Sequence, residues 1–253
     1  MKRPELKLPF ETLPFDKGKT VAFLKFAFGI TEKPGPFAAL EVGTHSLKLV
    51  EVMVTPEGER DLWGYWVKEI SLKVGFTDEE RQKELQAKVK AFLKSSNVSS
   101  QKIHLGLSGD ILAVRSVVVP EMPKDELPQA LRWAIRTQIP FDVETASLSF
   151  EVVDSFEKKK SVLVMASSEK LLTAWATAIQ EAGFRVASIT SSSLALLGWM
   201  AEERVLSSAD ALALVEMGGS RASLFIVAGG KVKFIRDLEI GGGNITHSLT
   251  QAL

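Results

Sequence analysis

The chain contains no cysteine. That removes disulfides, thiolate metal sites and a cysteine nucleophile, and it fits a cytoplasmic setting. It also lacks any apolar run near the ~18 residues needed to cross a bilayer. Lys2 and Arg3 are followed by Pro4, Glu5, Pro9 and Glu11, which break up any signal-peptide core. Charge of one sign is missing as well: 31 Lys and Arg balance 31 Asp and Glu. There is therefore no global electrostatic case for nucleic acid as a partner. Histidine is scarce, and His45, His104 and His247 lie far apart with no metal-spaced neighbours, which argues against a zinc site. Gly106-Leu107-Ser108-Gly109 lacks the spacing of a hydrolase elbow, so Ser108 reads as a turn residue.

What is present is an ordinary globular composition, 253 residues with 45% apolar and 25% charged, enough for one large domain or two smaller ones. Val21 to Ile30 is a short apolar stretch interrupted by Lys25. It reads as a packed lead-in, with an interfacial membrane contact through Phe23, Phe26, Phe28 and Ile30 as the alternative. Residues 31–37 read as a linker. Strands are expected at 38–42, 46–55 and 62–73, followed by a helix from Thr77 to Ser95. Thr77 and Glu80 form its capping box, and Leu85, Val89, Phe92 and Leu93 form its apolar face. Lys102 to Leu107 alternates as a strand.

From residue 111 the pattern is β-α-β-β-α. It comprises a strand at 114–119, a helix at about 125–138 with Pro128 in its first turn, and strands near 147–154 and 161–167 joined by the polar turn 157–160. A helix capped by Ser168 and closed by Gly183 completes the unit. Trp133 and Trp175 read as core residues, and Lys158 to Lys160 as a solvated hairpin tip. A strand at 184–189, Ser191 to Ser193 as helix capping and a helix at 193–203 follow. Strands at 211–217, 222–228 and 231–236 come next, with Gly229-Gly230 as a tight turn, then a Gly-rich turn and an opening helix.

One design occurs twice. Leu40-Glu41-Val42-Gly43-Thr44-His45-Ser46 and Val215-Glu216-Met217-Gly218-Gly219-Ser220 each place an acidic residue and a Gly turn between an apolar strand and its return. Two such hairpins face to face would offer backbone N–H groups to a polyphosphate and carboxylates to its Mg²⁺. Gly241-Gly242-Gly243 before a helix suits either an anion at the helix N-terminus or a plain turn of the chain.

These residues resemble the actin-like ATPase fold, and within it the PilM-type type IV pilus assembly proteins, relatives of FtsA. Glu41, Gly43 and Lys48 sit at the spacing of the first phosphate loop, and Glu216, Gly218 and Gly219 match the second. More specific to PilM are Val119-Pro120-Glu121-Met122 through Glu126-Leu127, Trp133, and Gln138-Ile139-Pro140-Phe141. The Gly230-Lys231 turn, Arg236, Gly241-Gly242 and Ile245-Thr246 match as well.

The resemblance implies an α/β fold (actin-like, RNase H-like) with an inserted small α+β subdomain and an incomplete second half. It divides the chain into an extension and linker (1–36), a first actin-like subdomain (37–110 with 184–206), the insertion (111–183) and the start of a second subdomain (207–253). A chain ending in its last helix is expected to be a fragment or a truncated reading frame.

By the same resemblance the protein is a cytoplasmic scaffold, peripheral to the inner membrane, in a pilus or related secretion platform. It would grip the N-terminal tail of a PilN-like membrane protein in a groove beside the insertion, with self-assembly into a ring or filament. ATP with Mg²⁺ is the implied cofactor, held by Glu41, Gly43, Thr44, His45, Ser46, Lys48, Glu216, Gly218, Gly219, Ser220, Gly241 and Gly242, with Glu41 and Glu216 serving the metal indirectly.

Both loop aspartates of the family are glutamates here, one methylene longer in a site where Mg²⁺ requires near-octahedral geometry at about 2.1 Å. The family's adenosine-binding segment lies beyond residue 253. Weak or no ATP binding, and weak or absent hydrolysis, are therefore expected of this chain. The alternative, an actin-like ATPase or sugar-kinase relative with active turnover, needs a catalytic Asp that nothing in the chain marks out. Finally, Glu5-Leu6-Lys7-Leu8-Pro9-Phe10 loosely resembles the Asn-Leu-Leu-Pro type of tail that PilM grips, which would let it occupy the groove in cis.

Overall fold

The computed structural model describes residues 34–72, 77–107, 111–202 and 211–252. The expected lead-in at 21–30, the tail-like segment at 5–10, the Ser108 turn and the helix end at Glu203 lie outside these ranges.

Strands β1 (Gly35–Val42), β2 (Ser46–Val54) and β3 (Arg60–Glu69) form an antiparallel meander. Strand β1 starts earlier than expected, at Gly35 instead of residue 38, because β2 runs on to Val54 and offers partners to Gly35 and Pro36. Strands β4 (Lys102–Leu107) and β8 (Arg185–Ser191) add in parallel, giving the order β3-β2-β1-β4-β8. Alternation turns Leu40, Leu47, Leu49, Ile103, Leu105 and Leu107 inward to full burial. Helix α1 (Asp78–Ser95) seals this face with Leu85, Val89, Phe92 and Leu93, and its start is fixed by the reciprocal Thr77–Glu80 capping box.

Glu51 is buried on the same face of β2. Its Oε1 accepts from Ser99 N (2.9 Å), Ser99 Oγ (2.6 Å) and Ser100 N (2.8 Å), so one carboxylate ties β2 to the turn that launches β4.

A second sheet, order β5-β7-β6, is formed by β5 (Ala113–Pro120), β6 (Ala146–Phe156) and β7 (Lys159–Ser168). Helix α2 (Leu127–Ile135) buries Leu127, Leu131 and Ile135 against Val117, Val119, Val162, Val164 and Ala166, a core separate from the first. Pro128 sits in the first turn, where its missing N–H costs nothing. Trp133 is not core: it is 63% exposed, on the side of α2 away from the buried residues, with the Arg136 guanidinium 3.8 Å from its ring centroid.

The β6–β7 turn is tighter than expected. Only Glu157 and Lys158 form it, both at positive φ, and Lys160 donates to Met122 O instead of standing in solvent. Helix α3 (Glu169–Glu181) buries Trp175 and Ile179. Ser168 occupies its N-cap position without a side-chain capping bond.

Helix α4 (Ser192–Glu202) leads to the third sheet, order β11-β10-β9, made of β9 (Ala211–Met217), β10 (Ala222–Ala228) and β11 (Lys231–Leu238). Gly229 and Gly230, at φ of +59° and +68°, supply the β10–β11 turn. Helix α5 (Gly242–Ala252) follows.

The second and third sheets meet along β11 through side chains. Arg115 Nη1 donates to Asp237 Oδ2 at 2.8 Å, with both side chains largely buried. Lys231 and Lys233 both pair with Asp154 on β6. Their hydrogen bonds hold the Asp154 carboxyl down at about 2, from an ordinary 3.8. A depressed folded-state value means that the unfolded chain binds the proton first. The stabilisation is thus complete above pH ~4 and lost as pH falls toward 2. Acid unfolding of Asp154→Asn should show a shallower slope between pH 4 and 2 than the parent; superimposable acid limbs would refute the assignment.

Candidate functional site

The two acidic-Gly loops prove to be the same local structure. Gly43 N donates to Ser46 O at 3.1 Å, and Gly218 N donates to Arg221 O at 2.8 Å, so each loop closes by a bond from glycine to the carbonyl three residues on. A Cβ at either glycine would approach that same carbonyl, to 2.9 Å at Gly43 and 3.2 Å at Gly218. The loops also touch each other. A Cβ at Gly219 would lie 3.1 Å from His45 Cβ and 3.2 Å from Thr44 Oγ1, which is why the second loop needs a glycine at its tip.

Between the loops lies a cleft of about 100 Å³. Glu41, Gly43, Thr44, His45, Ser46 and Lys48 line one wall, and Glu216, Gly218, Gly219 and Ser220 the other. Gly241 and Gly242 do not line it. They stand behind the second loop, where Gly242 N donates to Gly218 O at 2.9 Å and Gly243 N to Gly219 O at 2.8 Å, while Gly241 N is taken by Asn244 Oδ1 at 2.9 Å. The first N–H groups of α5 therefore support the loop from behind and are not presented to an anion in the cleft.

Six lining residues are not among the expected ligands: Val42, Ser192, Ser193, Arg221, Ser223 and Asp237. Ser193 does not act as a simple helix cap; its hydroxyl donates across to Ser223 Oγ at 2.9 Å. Ser223 Oγ in turn donates to Asp237 Oδ1 at 3.1 Å, and Asp237 holds Arg115. This chain of contacts runs from the mouth of α4 through the cleft wall to the second sheet. Ser192 Oγ is buried without a partner among the described residues.

Lys48 is opposite Glu41 in the β1–β2 register, and its Nζ reaches both carboxylate oxygens, at 3.0 and 3.2 Å. Both side chains are partly exposed, so the pair is weak and readily exchanged for another partner. Among the described residues no group of three or more His, Asp or Glu side chains is arranged to hold a metal ion by itself. Mg²⁺ commonly takes one or two carboxylates and completes its shell with water and phosphate oxygens, and Glu41 and Glu216 fit that partial role. Hydroxyls, Lys48 and Arg221 suit the phosphates. The base is another matter. Val42 is the sole apolar side chain in the lining, and the volume falls below the ~300–1,000 Å³ of sites that enclose a drug-sized ligand. The described lining residues fit Mg²⁺ and phosphate, and among them Val42 alone offers an apolar side chain.

Comparisons with known proteins agree in direction. The family model for the type IV pilus assembly protein PilM matches residues 39–253. A PilM–PilN type IV pilus biogenesis complex is similar in structure, with a TM-score of 0.69 at 22% identity over 86% of this chain and 65% of the other. A protein of Bacteroides thetaiotaomicron with an actin-like ATPase fold and unknown function superposes with a TM-score of 0.51 at 11% identity, over 87% of this chain and 76% of that one. This chain thus spans about two thirds of the length of the chain it matches in the complex. The curated proteins gave no match. The α/β fold is the actin-like one.

Proposed function

Since the chain belongs to the type IV pilus assembly protein PilM family, we propose that it is a scaffold, not an enzyme. It holds the N-terminal tail of a PilN-like membrane protein on the cytoplasmic side of the inner membrane, in a pilus or related secretion platform. The family match across residues 39–253 carries this reading. The similar solved structure is itself a PilM–PilN complex, which supports the choice of partner. We assign the grip to the insertion, residues 111–183, because β5, β6, β7 and α2 enclose a core of their own. The first subdomain is then 37–110 with 184–206, and 207–253 opens the second.

The cleft belongs to this reading as an inherited phosphate site. Thr44, Ser46, Lys48, Gly219 and Ser220 would hold phosphate, and Glu41 and Glu216 would hold the hydrated cation; the bound group would supply charge neutralisation between the two loops. A described lining of hydroxyls, glycines and charged side chains supports phosphate contact and weak nucleotide binding over turnover.

Two titrations test the proposal. A synthetic peptide copying the N-terminal tail of a PilN-like protein is expected to bind saturably to the full chain in fluorescence anisotropy, and a scrambled peptide is not. Equal weak binding of the two would sink the scaffold reading. Calorimetry with MgATP is expected to give no micromolar isotherm. Micromolar affinity with phosphate release would favour the ATPase reading instead.

A further inference from the structure

The two loops close by the same bond, yet they carry their cations at different places. Because Gly43 and Gly218 are equivalent, Glu41 corresponds to Glu216, Ser46 to Arg221 and Lys48 to Ser223. Strand register agrees: Glu41 is paired with Lys48 across β1 and β2, and Glu216 with Ser223 across β9 and β10. In the first loop the carboxylate therefore faces an ammonium, which reaches both of its oxygens at 3.0 and 3.2 Å. In the second it faces a hydroxyl that already donates to Asp237 Oδ1. No cation pairs with Glu216 among the described residues.

The cation of the second loop stands nearer the tip. Arg221 directly precedes β10, so alternation along the strand puts it on the side of Ser223, and both line the cleft. Its carbonyl accepts the loop-closing bond from Gly218 N, which fixes the backbone from which the side chain reaches. Ala222 pairs with Leu238, and this brings Arg221 beside Glu239 just past the end of β11. The contact from Arg221 Nη2 to Glu239 Oε1 is 3.5 Å, at the outer limit of a hydrogen bond, and the Glu239 side chain is 85% exposed. Such a contact is weak and readily exchanged. A guanidinium presents parallel N–H donors that suit a phosphate, whereas an ammonium acts as a point charge.

We propose that the second loop makes the main ligand contacts of the cleft: Glu216 holds the hydrated cation, and Arg221, exchanging Glu239 for the ligand, holds the phosphate chain bound to that cation. Glu41 and Lys48 largely neutralise each other and contribute less. This rests on the phosphate-site reading above and adds which loop does most of the binding. The ligand class is a metal-bound phosphate chain, met by a carboxylate and a guanidinium from one loop.

Magnesium tripolyphosphate titrated into the full chain tests this, with Kd taken from the rise in thermal midpoint followed by circular dichroism. The side chains to be changed are all at least partly exposed, so the substitutions leave the core untouched. Arg221→Ala and Glu216→Gln are each expected to raise Kd about tenfold, the usual effect of losing one charge-assisted hydrogen bond. The double variant E41Q/K48Q removes the other pair as a unit and should raise it about threefold or less. Glu239→Gln breaks the Arg221 contact from the other side and should leave Kd at or below that of the parent. A loss in Glu239→Gln equal to that in Arg221→Ala would make the pair a structural one and overturn the proposal. A larger loss in E41Q/K48Q than in either second-loop variant would overturn it in favour of the first loop. Parent-like affinity in Arg221→Ala and Glu216→Gln would remove the proposal and leave the phosphate site standing. A parent chain that shows no rise in midpoint would remove both.

Discussion

Gly241→Ala is expected to destabilise the chain by about 3 kcal/mol, the upper range for forcing atoms into a filled space. The added Cβ would stand 2.5 Å from Gly219 O and 2.6 Å from both Gly219 C and Ser220 C. All three are backbone atoms, so no rotamer change can make room. The second loop must move, and its movement strains the bonds from Gly242 N and Gly243 N. Gly242→Ala is the matched control. Its Cβ meets only Gly218 O, at 3.7 Å, an ordinary contact at the start of α5. It should fall within about 0.5 kcal/mol of the parent. Urea unfolding decides: equal midpoints for the two variants would show that the close approach behind the loop does not constrain it. The expected loss is structural, yet it acts on the wall of the cleft, so Gly241 serves the site without facing it.

Replacing Glu51 by alanine should cost up to ~3 kcal/mol, since removing one charged acceptor orphans the buried Ser100 N–H and two part-buried donors of Ser99 at once. Ser99 N, Ser99 Oγ and Ser100 N all converge on Oε1 of this single side chain. Glutamine keeps an oxygen in place, and Glu51→Gln should recover more than half of the loss in the same denaturant titration. If alanine and glutamine proved equally mild, the buried carboxylate would be a passenger. Glu51 has no counterpart in the phosphate loops, and its effect should leave peptide binding intact at temperatures where the variant is folded.

Most of the element order was readable because it follows from local periodicity. The helix from Thr77 has a capping box and a clean apolar face, and the strand from Lys102 alternates strictly; both lie where expected. What resisted reading depends on pairing between distant strands. Counting back from the Gly229-Gly230 turn would place Arg236 opposite Ser223, but a bulge between Ile226 and Val227 shifts the register by one. Asp237 therefore arrives beside Ser223 and enters the cleft. No local pattern announces such a shift. Trp133 misled for a different reason: a large aromatic on a helix is usually buried, whereas this one stays outside beneath a guanidinium. The repeated loops were legible as a pair, and their identical closing bonds at Gly43 and Gly218 are what a shared design requires. Gly241 and Gly242, expected beside the phosphate, stand behind the second loop, because sequence spacing carries no information about which side of a loop a following turn supports.

The cleft lining has a consequence for the order of arrival of its occupants. Its side chains include three carboxylates, Glu41, Glu216 and Asp237, against two cations, Lys48 and Arg221. Lys48 is already paired with Glu41, Arg221 with Glu239 at 3.5 Å, and Asp237 with Arg115 from outside the cleft, which leaves the Glu216 carboxylate without a cation among the described residues. A bare phosphate chain approaching this wall meets a field of its own sign, whereas a divalent ion is drawn in. On the proposed reading of the cleft, phosphate enters as a metal complex, and a chelator should act on the site as a competitor even where the phosphate concentration is unchanged.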